Sequence, residues 1–329
     1  MTTRRMFLGS NLGLMAALAM PAVSQISLAQ TRYPDRPIRV IVPFGPGGLA
    51  DVTMRVVAEK LGEKLGQQVV VVNQPGAGGS AAARAVLSNP ADGYTLALFT
   101  NGTAISVPLV ANLGYDPIAQ FVPVSSLGFF DFVFATSAEH EHKTLADFVK
   151  AAKAKAGALN IGTINIGSTQ NLSAVLFKGQ AGIDATVVPF RTTPDAITAL
   201  LRKDVDLIID GYVATKSLLA DGKLRALATT GATRFADLPD TPTVRESGFP
   251  DFEVTSWNGV FAPSGTPETI IRTLNEALAS ALAETSVKQR LIGLGIEAKG
   301  GSPSDMGAKL KADIMRWGGV IEKAGIAKQ

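Results

Sequence analysis

Two glycine-rich stretches carry the residue types best suited to gripping an anion: Pro43-Phe44-Gly45-Pro46-Gly47-Gly48 and Asn73-Gln74-Pro75-Gly76-Ala77-Gly78-Gly79. Each separates an apolar run from a segment of helical periodicity, so each ends at a helix N-terminus. Such a terminus leaves N–H groups without intrahelical acceptors and carries about half a positive charge. That suits a carboxylate or a phosphate. Gly47, Gly48, Gly78 and Gly79 have no side chain to hold a ligand off the backbone, and Ser80, Ser168 and Thr169 add hydroxyl donors. Valine at Gly48 or Gly78 is expected to weaken binding more than folding, provided the glycine φ angles tolerate a side chain. Arg191, between a strand end and a helix start, offers a bidentate donor to an acidic group. Thr100 follows one strand and Asp210 ends another, where open α/β sheets place ligands. Asp51 lies in the first turn of its helix and reads as a dipole or capping partner.

Other chemistries find little material. The chain has no cysteine, which excludes disulfides, thiolate metal sites and a cysteine nucleophile. His140 and His142 are the only histidines. Two ligands in the charged turn Glu139-His140-Glu141-His142-Lys143 make a poor metal site, and Ser-His nucleophile arrangements have almost nothing to work with. Gly76-Ala77-Gly78-Gly79-Ser80-Ala81 also fits a dinucleotide fingerprint, but no acidic residue stands at a strand end roughly 20 residues on. No cofactor and no metal are expected. The formal charge is +3. Arg4 and Arg5 are the only charged residues before Gln30, so without them the charge is +1. With no stripe of Lys and Arg interleaved with aromatics, nucleic acid is not an expected partner.

The elements that must position these residues alternate. A chain of 329 residues is too long for one ordinary core and suits two α/β lobes. Ile38–Val42, Val69–Val72 and Tyr94–Phe99 read as strands. A helix from Ala50 to Leu65, closed by Gly66, and an alanine-rich helix from Ser80 to Leu87 lie between them. Strand, glycine loop and helix therefore occur twice in succession, which argues βαβ units and a parallel sheet. The alternation resumes with a helix capped by Thr144-Leu145-Ala146-Asp147, strands at Leu159–Ile164 and Thr186–Phe190, and a helix beginning at Ser168. Another helix is expected behind Thr193 as N-cap with Pro194, then strands at Asp206–Asp210 and Leu224–Thr229. Two amphipathic helices behind Thr266-Pro267 and Ser302-Pro303 close the chain. Their apolar stripes need a sheet to lie on, and the first lobe's sheet is the natural candidate. The lobes are thus expected at 31–130 with 256–329, and at 131–255. Trp257 and the run Phe129, Phe130, Phe132 and Phe134 fall near the crossings, where one or two aromatics could flank a ligand.

The N-terminus reads as an address. Thr2-Thr3-Arg4-Arg5-Met6-Phe7-Leu8 precedes an apolar stretch from Leu12 to Val23, and Ser27-Leu28-Ala29 supplies small residues for a signal peptidase. A cleaved secretory signal over 1–29 is expected, with cleavage near Ala29, a periplasmic location and an export route resembling the twin-arginine type. The apolar stretch is short for a membrane span and is broken by Pro21.

Taken together the motifs resemble the substrate-binding proteins of tripartite tricarboxylate transporters, the Bug receptors. The resemblance covers essentially the whole chain after the signal. It rests on Tyr33-Pro34-Asp35-Arg36-Pro37-Ile38, Val42–Gly48 with Asp51, Asn73–Gly79 and Pro90-Ala91-Asp92-Gly93-Tyr94-Thr95-Leu96. It continues in Asp237-Leu238-Pro239, Pro242-Thr243-Val244 with Glu246-Ser247-Gly248, and Trp257 with Ala262-Pro263-Ser264-Gly265-Thr266-Pro267. It implies a two-lobed, type II periplasmic-binding-protein fold with two crossovers between the lobes, which closes on its ligand. It also implies that the loops at Phe44–Gly48 and Gly76–Ser80 hold a carboxylate through backbone N–H groups and bridging waters. A large and a small membrane subunit would be the partners of a monomeric receptor. In the second lobe the pattern departs from the family. Asn171-Leu172 stands where His-Leu is usual, and Pro189-Phe190-Arg191-Thr192 stands for Pro-Tyr-Lys-Gly. Asn171 and Arg191 are accordingly the positions expected to read the ligand's far part. A periplasmic enzyme carrying a cofactor and a sensor's ligand subunit are the rival readings.

Overall fold

The computed structural model describes residues 33–323 and 325–329; the expected signal at 1–29 lies outside them. The order is β1 (Ile38–Val42), α1 (Leu49–Leu65), β2 (Val69–Asn73), α2 (Ser80–Leu87), β3 (Thr95–Thr100), α3 (Asn101–Leu109) and β4 (Phe121–Ser137). Then come α4 (Leu145–Ala154), β5 (Asn160–Ile164), α5 (Thr169–Ala181), β6 (Thr186–Phe190), α6 (Thr193–Leu201), β7 (Leu207–Gly211), α7 (Tyr212–Ala220) and β8 (Leu224–Thr229). The chain ends with β9 (Thr255–Pro263), α8 (Glu268–Ala283), α9 (Thr285–Ile292), β10 (Ile296–Ala298) and α10 (Pro303–Lys323).

β1 pairs in parallel with β2 and β3. Every residue of β3 is buried, as expected of a parallel strand covered by helices on both faces. β9 then pairs antiparallel with β3 and with the first part of β4. The last part of β4, from Phe132, changes partners and pairs with β7 on one side and β8 on the other. β5 joins β7 and β6 in parallel. One 17-residue strand therefore serves two sheets, and β9 runs beside it where the change occurs.

Local chemistry explains most boundaries. Gly66 adopts φ 67° and closes α1 by donating its N–H to Gly62, a left-handed cap that glycine makes without steric cost. Thr144 and Asp147 form the reciprocal capping box at α4. On α6 the cap is Thr192 rather than Thr193, its hydroxyl accepting from Asp195 N–H. Thr193 is free for another use because its hydroxyl turns to Asp210 at 2.7 Å. The stripes Ile271, Leu274, Leu278, Leu282 on α8 and Met306, Leu310, Trp317, Ile321 on α10 are buried. α8 packs on α1 and β4, and α10 on α3 and β4. No described helix is long and apolar enough to cross a membrane.

Candidate functional site

The C-terminal ends of β1, β3, β5 and β6 meet around a cavity that is partly open to solvent. One wall is built by the loop after β1 and the start of α1: Phe44, Gly45, Gly48, Leu49 and Ala50, with Thr100 beside them. The facing wall comes from the second sheet: Ile164, Thr169 and Gln170 at the start of α5, and Arg191, Thr192 and Thr193 at the start of α6. The floor is Phe130 and Phe132 on β4 with Ser256 and Asn258 on β9. A smaller space adjoins it, lined among others by Gly76, Gly78, Gly79 and Gly167, and shares Phe44 and Thr100 with it.

The first wall presents an open helix end. Gly48 is the N-cap of α1, and no side chain caps it. The first-turn N–H groups of Leu49 and Ala50 are those a helix leaves without intrahelical acceptors, and both residues line the cavity. Asp51 holds this loop in shape. Its carboxylate accepts from Gly47 N–H (3.0 Å), Arg55 Nε (2.9 Å) and Asn73 Nδ2 (2.9 Å). Asn73 Nδ2 also donates to the Phe44 carbonyl (3.0 Å). Burial works to raise the Asp51 pKa, but the bonds from Arg55, Gly47 and Asn73 outweigh it and hold the carboxyl below its usual range. The N–H of Gly47 is thereby taken, which leaves the grip to the residues after it.

The second glycine loop is differently engaged. Gly78 donates its N–H to Ile166 carbonyl (3.2 Å) and Gly79 to Gly76 carbonyl (3.1 Å). Ser80 spends its hydroxyl on Leu113 carbonyl at 2.5 Å and does not line the main cavity. Gly78 has φ 60°, and a β-carbon there would lie 2.6 Å from Leu113 Cδ1. A side chain at Gly78 thus collides within its own lobe, so the expectation that valine there spares folding does not hold. Gly48 has no such strain: its added β-carbon would face Thr193 Oγ1 across the cavity at 3.1 Å.

In the second sheet, Thr169 lines the cavity, and its hydroxyl pairs with Ser256 Oγ at 3.2 Å. Arg191 lines it as well, from an exposed position at the rim. Ser168 is a correction, since its buried side chain caps α5 by accepting from Asn171 N–H (3.0 Å) and donates to Ile164 carbonyl (3.2 Å). Asn171 is turned inward too, with Nδ2 on Thr163 Oγ1 (3.1 Å). Asp210 stands one layer behind the wall. It accepts from Thr193 Oγ1, Gln170 Nε2 and Gly211 N–H at 2.7, 3.2 and 2.7 Å, and burial pushes its carboxyl up.

Trp257 is a further correction. Side chains alternate across a strand, so with Ser256 and Asn258 facing the cavity, Trp257 must face away. Its ring is 1% exposed and Nε1–H donates to Asp313 of α10 at 2.6 Å. Trp257→Phe is expected to lower stability by about 1–3 kcal/mol through loss of the hydrogen bond to the buried Asp313 carboxylate, which keeps Lys309 Nζ at 2.8 Å, and to leave ligand affinity unchanged. Denaturant melts and calorimetry on the same protein check both halves. Sequence reasoning passed over Gln170, Ser256 and Asn258. For Ser256 and Asn258 the available signal was polar residues at alternate positions of an otherwise apolar strand.

Two α/β sheets joined by shared strands, with a cavity between the C-terminal ends of their parallel strands, define a two-lobed solute-binding protein. The chain belongs to the tripartite tricarboxylate transporter receptor family, whose model matches residues 53–326. It superposes on the periplasmic binding protein BugD at TM-score 0.86 and 32% identity, covering 90% of this chain and 100% of that one. Similar too are R. palustris Rpa4515 with adipate (TM-score 0.86, 37% identity, 90% and 100% covered) and MatC of Rhodopseudomonas palustris with bound malate (0.82, 33%, 88% and 100%).

Proposed function

We propose that the protein is a periplasmic receptor, without turnover of its own, that captures a small carboxylate and delivers it to the large and small membrane subunits of a tripartite transporter. The observation that carries this reading is the uncapped N-terminus of the 17-residue α1, opening onto the cavity between the two lobes. The amide groups and dipole there favour a carboxylate. Adipate in Rpa4515 and malate in MatC support the ligand class. On this reading residues 1–29 are an export signal cleaved near Ala29, the lobes are 31–130 with 256–329 and 131–255, and the receptor is a monomer.

Closure around a ligand follows from contacts that only the closed arrangement makes. Gly78 N–H meets Ile166 carbonyl, Ser106 Oγ meets Gly167 carbonyl at 3.2 Å, and Thr169 meets Ser256. A thermal-shift panel of aliphatic, hydroxy, amino and aromatic carboxylates on the purified protein tests the reading. A ligand at about 100 times its Kd adds roughly 2.7 kcal/mol, which in a protein of this size raises Tm by several degrees. No shift with any carboxylate, together with turnover of some substrate, defeats it.

A further inference from the structure

The grip at α1 accounts for one end of a ligand, and the hydrogen-bond polarity of the rest of the cavity constrains what else the ligand carries. Thr193 has a single hydroxyl proton and gives it to Asp210 at 2.7 Å, so only its lone pairs remain for the cavity. Gln170 gives one amide N–H to the same carboxylate at 3.2 Å, which leaves Oε1 free as an acceptor beside its second N–H. Both residues line the cavity. As a carboxylate, Asp210 takes the Thr193 proton and one Gln170 N–H, so Thr193 faces the cavity as an acceptor and Gln170 presents Oε1. The hydroxyls of Thr100, Thr169 and Ser256 can turn either way; the Thr193 hydroxyl, committed to Asp210, cannot.

Asn258 points the same way by an independent route. It sits on β9 opposite Thr100, is 0% exposed and lines the cavity floor. Among the described residues neither its Nδ2 nor its Oδ1 has a hydrogen-bond partner. Folded proteins pair nearly all buried polar atoms, so an amide with both ends free in a cavity is waiting for a ligand. A bare carboxylate brings only acceptors. It satisfies α1 and Asn258 Nδ2 but leaves Asn258 Oδ1, Gln170 Oε1 and Thr193 Oγ1 unmet.

We propose that this receptor selects carboxylates that also carry a hydrogen-bond donor (a hydroxyl, an ammonium or a carboxamide) over unsubstituted mono- and dicarboxylates, with Asn258 and Gln170 reading the donor. This rests on the carboxylate-receptor reading. A site built to hydrogen-bond a ligand group rejects the analogue lacking it by factors up to about 10⁴–10⁵.

The test is calorimetry on the whole protein with unsubstituted diacids of three to six carbons and their hydroxy, amino and monoamide counterparts, such as succinate against malate, aspartate and succinamate. At least one donor-bearing acid is expected to bind about 100-fold tighter than the unsubstituted acid of equal length. Asn258→Leu and Gln170→Leu should each cut that preference to below about tenfold. Asn258→Leu should also raise the Tm of the unliganded protein, because it removes two buried unpaired atoms. If Asn258→Leu does not fold, Gln170→Leu carries the comparison. An unsubstituted diacid binding as tightly as the best donor-bearing acid, or a preference that survives Gln170→Leu undiminished, overturns the selection while leaving the receptor reading in place. Absence of any carboxylate binding removes both.

Discussion

Gly211→Val is expected to weaken ligand binding roughly tenfold to a hundredfold while leaving the Tm of the unliganded protein close to wild type. A β-carbon at Gly211 would lie 2.0 Å from Leu49 Cδ1 and 2.3 Å from its Cγ. Leu49 is the first residue of α1, is 4% exposed and lines the cavity, whereas Gly211 ends β7 in the other sheet. The collision is between lobes, not within one. Gly211 itself has φ −68° and ψ 152°, which a β-branched residue adopts without strain. Overpacking of this kind costs about 1–3 kcal/mol, and here it falls on the closed state alone. Each 1.4 kcal/mol is about a tenfold change in affinity. Calorimetry with the tightest carboxylate and a melt without ligand read the two quantities. Unchanged affinity would mean that closure does not bring Leu49 against Gly211. A large loss of Tm would mean that the contact supports the fold itself.

Asp210→Leu is expected to be the most destabilising single change at the site. It orphans three donors: the Thr193 hydroxyl, the Gln170 amide and the Gly211 N–H. At about 1–3 kcal/mol for each buried unpaired group, the loss is roughly 3 kcal/mol or more, and Tm should fall by about 6 °C or more. Asp210→Asn separates shape from charge. Burial raises the carboxyl's pKa in the folded protein. The folded state therefore holds this proton more tightly than the unfolded chain. That contribution is complete below the unfolded value, near 3.9, and is lost as pH rises through the raised folded value. Melts of wild type and Asp210→Asn across that window should show the wild-type advantage shrinking as pH rises. An advantage that grows with pH would contradict the burial argument.

Much of the fold was legible because its devices are local. Gly66 closing α1, Thr144 with Asp147 opening α4, and the four-residue stripe on α8 are each read within one or two turns of helix. α3 escaped because Pro108 lies inside it and its first turn, Asn101-Gly102-Thr103, looks like loop. β4 escaped as a single strand because Ser125, Ser126 and Gly128 interrupt its apolar run, and register shifts occur there. At the site, Phe44, Gly48, Thr100, Thr169 and Arg191 line the cavity because they end strands or open helices, which sequence shows. Trp257 was offered as a ligand contact, and Asn258 beside it was passed over. An aromatic residue near a crossing suggests a ligand platform, but which face of β9 it takes depends on which helix packs behind it. Here α10 supplies Asp313 for the indole, and the short polar neighbour is left to face the cavity. Ser168 and Asn171 were offered as ligand contacts through a similar ambiguity: the same side chains that can meet a ligand can cap their own helix or bond their own strand.

The strand that belongs to both sheets also bears on how the proposed closure would proceed. β4 passes from one sheet to the other without a break, and it exchanges partners between Asp131 and Phe132. Beside it, Thr255 opens β9 and ties its hydroxyl to Asp131 at 2.9 Å. Two hydrogen-bonded strands side by side resist sliding and shear but permit bending across their common line. On the receptor reading proposed above, bending across this line is how the lobes would close, and occupancy of the cavity would be expressed as an angle. Any protein that docks across both lobes can then tell a loaded receptor from an empty one without touching the ligand.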